Sequence, residues 1–427
     1  MIKKYIWGQV EPEEIFRRVQ PTREVTPVVS EIIQTVRQQG DAALFAYTQR
    51  FDGAQLSHLA VSAEEIDEAL AQVGQKFLGV LQRAAENIRR YHQHQTRSSY
   101  LLTDTPGVVL GQRVIPLQRV GVYVPGGTAA YPSCVLMNCI PAKIAGVEQL
   151  VMVTPPGRDG KVNPGILAAA KVAGVDQIYK VGGAQAVAAL AYGTESIPQV
   201  DKIVGPGNAF VAEAKRQVFG QVAIDMIAGP SEILVIADAS CDAKVLAADL
   251  LSQAEHDKQA SAVLITNDEA LADDVSRQLE KQIPLLRRAE IARHSIDENG
   301  KIIVTDDLQK AIEVANRIAP EHLELCVENP FDYLSGIRNA GSVFLGRNCP
   351  EPLGDYFAGT NHVLPTGGTA RFSSPLSVDD FVKKSSFMYY TQQALQDVSE
   401  DVAFFAEQEG LTAHAKSITV RFEEDRT

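Results

Sequence analysis

The chain has 427 residues, is 45% hydrophobic and 22% charged, and carries a formal net charge of −13. That composition suits a globular protein of about two to four domains, and the acidity argues against nucleic acid or an anionic membrane as main partner. Its five cysteines, Cys134, Cys139, Cys241, Cys326 and Cys349, form no CxxC. A disulfide scaffold or a four-cysteine zinc site is therefore disfavoured, and a reducing compartment is favoured.

The opening "MIKKYIWGQVEPEE" lacks a continuous apolar stretch and soon turns acidic. It reads as neither a signal nor a transit peptide. No apolar run is long enough for a membrane span, so a cytoplasmic protein is expected. The first hundred or so residues read as helical. "REVTPVVSEIIQTVRQQG" ends in Gly40, a helix stop. "AEEIDEALAQVGQKFLGVLQRAAENIRRYHQHQ" breaks near Gly74 and places His92 and His94 at its C-terminal end. There they are expected as cations favoured by the helix dipole.

From Val120 the pattern alternates strand and helix about every 25 residues, as in β-α-β units on a parallel sheet. "VGVYVPGG", "QLVMVTPP", "DQIYKVGG", "DKIVGPGN" and "VAIDM" read as strands, with helical segments between them. Glycines cluster at the C-terminal strand ends, where open α/β sheets bind ligands. A second α/β stretch begins at "EILVIAD" and runs to "HLELCV". Residues 348–374 are Gly-, Pro- and Ser-rich and read as a long loop, a frequent place for function. A helical tail closes the chain.

Several stretches could carry chemistry. "GPGNAF" lacks the third glycine of a dinucleotide fingerprint, so nucleotide binding and a tight structural turn both remain open. Gln253 and His256 in "LLSQAEHD" share one helix face. They could offer lone pairs to a cation or merely form a polar helix end. Asp355 and His362 sit in the long loop, and Glu409 and His414 in the tail. Gln, His, Asp and His together make a plausible N/O set for zinc, although their scatter proves no convergence. Glu321 and His322 follow Pro320. The helix before them must end near Ala319, because a residue preceding proline avoids the helical region. The pair then sits at a backbone break and could serve one pocket, or form the polar edge of a strand. None of the five cysteines is expected to act as nucleophile.

Long stretches of the chain closely resemble the histidinol dehydrogenase family. They include "IDMIAGPSEILVIADASCDAKVLAADLLSQAEH", "NRIAPEHLEL", "GDYFAGTNHVLPTGGTAR", "EGLTAHAKS", "VGVYVPGG", "GGAQAVAALAYGT" and "GPGNAFVAEAKR". The resemblance implies oxidation of L-histidinol through L-histidinaldehyde to L-histidine with two NAD+, the last steps of histidine biosynthesis. It implies zinc held by Gln253, His256, Asp355 and His414, and NAD+ near Tyr123, Gln185 and Asn208. Ser231, Gln253, His256, His322, Asp355, His362, Glu409 and His414 would contact substrate. Glu321 would activate water and His322 shuttle protons. A homodimer is implied, in which the tail crosses over so that Glu409 and His414 complete the partner's site. Cysteine at 134 and 139 stands where small residues are expected, which touches nothing catalytic.

The fold so implied is α/β. Two Rossmann-like open-sheet domains face a cleft, with a small N-terminal segment and a C-terminal helical tail. The boundaries are 1–22 for the N-terminal segment and 23–122 with 231–376 for a discontinuous metal and catalytic domain. The NAD side would span 123–230 and the tail 377–427. A same-fold dehydrogenase of another alcohol, such as a sulfonated diol, is the nearest rival reading. A zinc hydrolase is more distant, since HExxH is missing and the Gly-rich middle would go unexplained.

Overall fold

The computed structural model describes residues 1–18, 25–126 and 131–423. The chain forms two compact units. The larger comprises Met1–Gln95 with Leu117–Phe381, and the smaller Thr96–Pro116 with Val382–Thr427.

Two open parallel sheets organise the larger unit. The middle sheet runs in the spatial order Gln177–Lys180, Gln149–Thr154, Arg119–Tyr123, Lys202–Val204, Ala223–Ile224. By chain order that is 3-2-1-4-5, half of a doubly wound fold. Its crevice lies where the order reverses, outside the C-terminal ends of Arg119–Tyr123 and Lys202–Val204. The strands are near-continuous apolar runs because helices cover both faces; Val120, Val122, Val151, Val153 and Ile203 are all buried.

The second sheet has six parallel strands, in the order Lys3–Ile6, Lys301–Val304, Ser261–Thr266, Glu232–Ala237, His322–Cys326, Ser342–Leu345. Without the edge strand it repeats 3-2-1-4-5. No tandem repeat in the sequence announces this, since topology can recur where side chains do not. The edge strand Lys3–Ile6 corrects the helical expectation for the first residues. Four residues give too little periodicity to register as a strand.

The helical expectations for 26–92 hold: Thr26–Gln39 ends at Gly40, and Ala63–Val73 and Gln75–His92 meet at Gly74. Their packing corrects the sequence division, which groups 23–122 with 231–376. Val29, Ile32, Val36 and Leu44 join Val151, Val153 and Ile203 in one apolar core. Leu81, Ala85 and Ile88 join Val120, Leu136 and Leu150 in another. These helices therefore cover the middle sheet, and the first middle strand begins at Arg119, inside the stretch assigned elsewhere.

His92 also departs from expectation. It is fully buried, its Nδ1 lies 2.9 Å from the Ile88 carbonyl, and Asn361 Nδ2 approaches its Nε2 at 3.3 Å. Burial pushes its pKa below the usual imidazole value. It is a neutral core histidine, not a helix-end cation.

The smaller unit is not the all-helical tail expected from 377–427. Val382–Tyr390 is a nine-residue strand, paired antiparallel with Val108–Pro116, which also pairs with Tyr100–Leu102. Helices Gln392–Gln408 and Thr412–Thr419 follow. The strand's exposed, mixed pattern, "VKKSSFMYY", hides it from a search for alternation.

Candidate active site

Where "NRIAPEHLEL" falls, helix Leu308–Ile318 stops and Ala319 takes φ 52° and ψ 66°. Among the described residues it is the one non-glycine with positive φ. The helix thus ends where Pro320 predicts, but through a left-handed cap rather than an extended residue. Such a cap costs an alanine about 1–2 kcal/mol, so tertiary contacts must hold it. Arg18 provides them: its guanidinium donates to the Ile318 and Ala319 carbonyls and pairs with Glu232 Oε1 at 2.6 Å.

Beyond the cap, Glu321 precedes the strand and His322 begins it. Both are buried, at 7% and 4% exposure. The Glu232 backbone holds both side chains: its N–H donates to Glu321 Oε2 at 2.8 Å, and its carbonyl lies 3.0 Å from His322 Nδ1. Glu321 Oε2 and His322 Nδ1 are 3.5 Å apart. Glu321 and His322 are thus a buried acid–base pair at the start of a strand. With Nδ1–H given to a carbonyl, His322 Nε2 is left as the reactive nitrogen.

Around that nitrogen the charge is acidic. Glu351 Oε1 and Asp355 Oδ1 each lie 3.8 Å from Nε2. Burial alone would lower the His322 pKa; Glu321, Asp355 and Glu351 overcome this and lift it to about 10. Glu321 is pushed up to about 8, chiefly by burial. Burial also pushes Asp355 up, but His322 and His362 outweigh it and hold the carboxyl at about 2. A cation held at Asp355 would offset these carboxylates and lower the His322 pKa toward the range of a working base.

Sequence reading places Asp355 in a loop. It sits instead on the short helix Glu351–Tyr356. Glu351 opens that helix, is 2% exposed, and is the site residue that motif reading overlooks. A carboxylate beside "NCPEP" looks like a solvated turn until the fold buries it.

Helix Ala243–Ala254 and its last turn bring in Gln253 and His256. Gln253 is 1% exposed, and among the described residues neither amide atom makes a hydrogen bond of good geometry. His256 is held below its usual pKa by burial, hence neutral with a lone pair to give. His362 Nδ1 contacts the Asp355 carbonyl at 3.1 Å, and its buried Nε2 has no partner among the described residues. Unpaired buried polar atoms cost about 1–3 kcal/mol each. An amide oxygen, a neutral imidazole and a carboxylate fit a divalent cation with N/O preference.

One cavity of about 310 Å³ gathers Ser231, Gln253, His256, Glu321, His322, Asp355 and His362 from the six-stranded side, and Gly205 and Asn208 from the middle sheet. The two sheets contribute opposite ends. His322 stands at the start of its strand, whereas Gly205 follows the end of Lys202–Val204 at the crevice position. Gly205 has φ 111°, and a Cβ there would collide with the Tyr123 carbonyl, so only glycine lets these two strand ends close up. Asp225 Oδ2 accepts from Gly205 N at 2.7 Å, and Lys215 donates to the Gly205 carbonyl at 3.0 Å while pairing with Asp225. Asn208 caps helix Ala209–Val218, its side-chain oxygen accepting from the Phe210 and Val211 N–H groups.

Tyr123 and Gln185 do not line the cavity. Tyr123 ends its strand at the crevice, and its hydroxyl accepts from Gly183 N at 3.1 Å; burial pushes that hydroxyl up to about 12. Gln185 lies buried in helix Gly183–Tyr192. Glu409 and His414 belong to the smaller unit, where both are exposed. The "VPGG" turn falls partly on residues outside those described. Burial pushes the Cys134 and Cys139 thiols up to about 12 and raises Cys326 too, so no thiolate nucleophile forms among them. A larger cavity, about 680 Å³, lies beside Lys301 and Arg18. Lys301 there donates to the Ile15 and Arg17 carbonyls, and Arg18 to Glu232.

A family model described as histidinol dehydrogenase matches residues 16–422. The histidinol dehydrogenase of Clostridium acetobutylicum is 55% identical over 420 residues, covering 97% of each chain. That of Bacillus thuringiensis subsp. konkukian is 58% identical over 397 residues, covering 93% of this chain and 92% of the relative. The crystal structure of histidinol dehydrogenase from Elizabethkingia anophelis superposes with a TM-score of 0.93 at 40% identity, covering 99% of this chain and 98% of that one. With the matched span, the relatives and the superposed fold in agreement, the chain belongs to the histidinol dehydrogenase family.

Proposed function

We propose that the chain oxidises L-histidinol through L-histidinaldehyde to L-histidine, reducing two NAD+. The observation that carries this reading is the buried Glu321–His322 pair, 3.5 Å apart, in the cavity that also holds Gln253, His256 and Asp355. Family membership supports an oxidoreductase of histidine biosynthesis. The pair supplies what a double oxidation needs, because its two steps need different proton chemistry.

Gln253, His256 and Asp355 would hold the zinc, together with His414 of the partner subunit. NAD+ would lie along the middle-sheet crevice near Tyr123, Gln185 and Asn208. When bound, NAD+ takes the hydride in each oxidation and zinc orients the substrate's nitrogens. The protein does the rest. In the alcohol step His322 Nε2 takes the hydroxyl proton, while its Nδ1–H stays on the Glu232 carbonyl and keeps the ring fixed. An aldehyde has no hydroxyl to deprotonate, so water must first add. Glu321, with a pKa raised by burial toward the working range, takes the proton of that water. As the water adds, His322 returns the proton it took in the alcohol step to the aldehyde oxygen, and it then takes a proton from the resulting diol. Ser231, His362 and Glu409 of the partner subunit would contact the substrate's polar groups, and holding it in one pose can supply several kcal/mol of the barrier reduction.

The smaller unit supports a homodimer with shared sites. Its described residues bury as one apolar cluster only Ala403, Ala406 and Ala415. Tyr100, Leu101, Met388, Tyr389, Phe404 and Phe405 are all more than half exposed, more large apolar surface than a unit this small would leave to water without a partner. Mixing His322→Ala with His414→Ala subunits, each inactive alone, is expected to restore part of the activity. Verified heterodimers without recovery would sink the shared site. The activity itself is tested by NADH absorbance with purified chain, zinc, NAD+ and L-histidinol, where NADH should form.

A further inference from the structure

The His322–Cys326 strand sends His322, Glu324 and Cys326 to one face and Leu323 and Leu325 to the other. Glu324 therefore stands one pleat from His322, and it is fully buried. Its Oε1 accepts from the Glu351 N–H at 2.7 Å, the first residue of the helix that carries Asp355. Its side chain also meets Asp249: ligand atoms of Asp249, Glu324 and Cys326 lie within 4.8 Å of one another. Asp249 is four residues before Gln253 and seven before His256, so all three lie along one face of that helical segment. Ser252 Oγ ties the same helix to Glu351 Oε2 at 3.2 Å.

Glu324 thus touches every element that brings a ligand or base to the cavity from the six-stranded side. Among the described residues no lysine or arginine pairs with its carboxyl. Burial pushes both Asp249 and Glu324 above the usual carboxylate range, so the two retain a proton between them near neutrality. Glu324 Oε2 faces Cys326 Sγ at 3.8 Å, which leaves neither oxygen orphaned. These contacts fit a brace between elements rather than a second metal site.

We propose that Glu324 is a positioning residue that fixes the helices bearing Gln253, His256 and Asp355 against the His322 strand, and so sets the affinity of the site for zinc. This rests on the metal reading above. Outer partners of metal ligands typically tune affinity by about 10–100-fold, and Glu324 acts one step behind Asp355 through the helix start.

The test compares the zinc-loaded wild type with Glu324→Leu and Glu324→Gln. Zinc affinity is measured by competition with a chelator, kcat and KM with L-histidinol, and folding by melting temperature. Glutamine keeps an acceptor for the Glu351 N–H and should stay within about threefold of wild type in zinc affinity. Leucine fills the volume without that acceptor and should weaken zinc at least about tenfold, with kcat falling more than KM rises. If the leucine variant fails to fold, Glu324→Met replaces it with the same expectation. A leucine or methionine variant that holds zinc as tightly as wild type would overturn the proposal, as would a glutamine variant as impaired as leucine. A wild type that binds no zinc would instead overturn the metal reading, and the two failures are distinguishable.

Discussion

Glu321→Gln is expected to leave the oxidation of L-histidinol to the aldehyde within about threefold of wild type and to slow aldehyde oxidation by about 100-fold or more. Glutamine keeps the volume of Glu321 and can still accept from the Glu232 N–H, now at 2.8 Å. It cannot take a proton from water. The alcohol step asks nothing of Glu321 beyond shaping the pocket, because His322 Nε2 faces away from it toward Glu351 and Asp355. Single-turnover assays started from the alcohol and from the aldehyde separate the two steps, and NADH per histidinol should drop from two toward one. Equal loss in both steps would mean that Glu321 merely supports His322. His322→Ala, in contrast, should depress both.

Removing His256 should cost the protein its metal. The ring is neutral because burial disfavours the cation, so it has a lone pair to give, and with Gln253 and Asp355 it would make up the subunit's own share of the proposed ligand set. His256→Ala is expected to weaken zinc by at least about 100-fold, since a lost ligand costs more than a lost outer partner. Metal per chain after dialysis is the readout, and unchanged zinc would refute the assignment. Gln253→Leu adds a sharper contrast. Among the described residues neither buried Gln253 amide atom makes a hydrogen bond of good geometry, and a poorly paired buried polar atom costs up to about 1–3 kcal/mol. The leucine variant should therefore melt higher than wild type without zinc, yet lose the stabilisation that zinc gives wild type.

Much of the frame was legible in the chain. Glycine at 40 and 74 and proline at 320 mark helix ends by backbone sterics that act locally, and the apolar strands of both sheets announce themselves by runs of β-branched residues. What stayed hidden depends on the third dimension. His92 at the end of "AENIRRYH" looks like a solvated cation until Asn361, far away in sequence, closes over it. The strand Val382–Tyr390 is exposed in the single chain and carries no core pattern. Glu324 and Glu351 read as ordinary acidic residues, because only packing takes their charge out of water. The placement of the acid–base pair at the start of a strand runs against the usual preference for C-terminal strand ends. It follows from the Ala319 cap and the Arg18 clamp, neither of which has a local signature. Assigning roles to Glu321 and His322 needed the resemblance, since local spacing made the pair possible and no more.

The central claim is that one cavity carries out both oxidations. Purified chain loaded with zinc and given limiting L-histidinol and excess NAD+ tests it most directly, by the ratio of NADH formed to histidinol consumed, with the product identified. A ratio near two, with L-histidine as the product, is predicted. A ratio near one with aldehyde accumulating, or no NADH while zinc is bound, would contradict it.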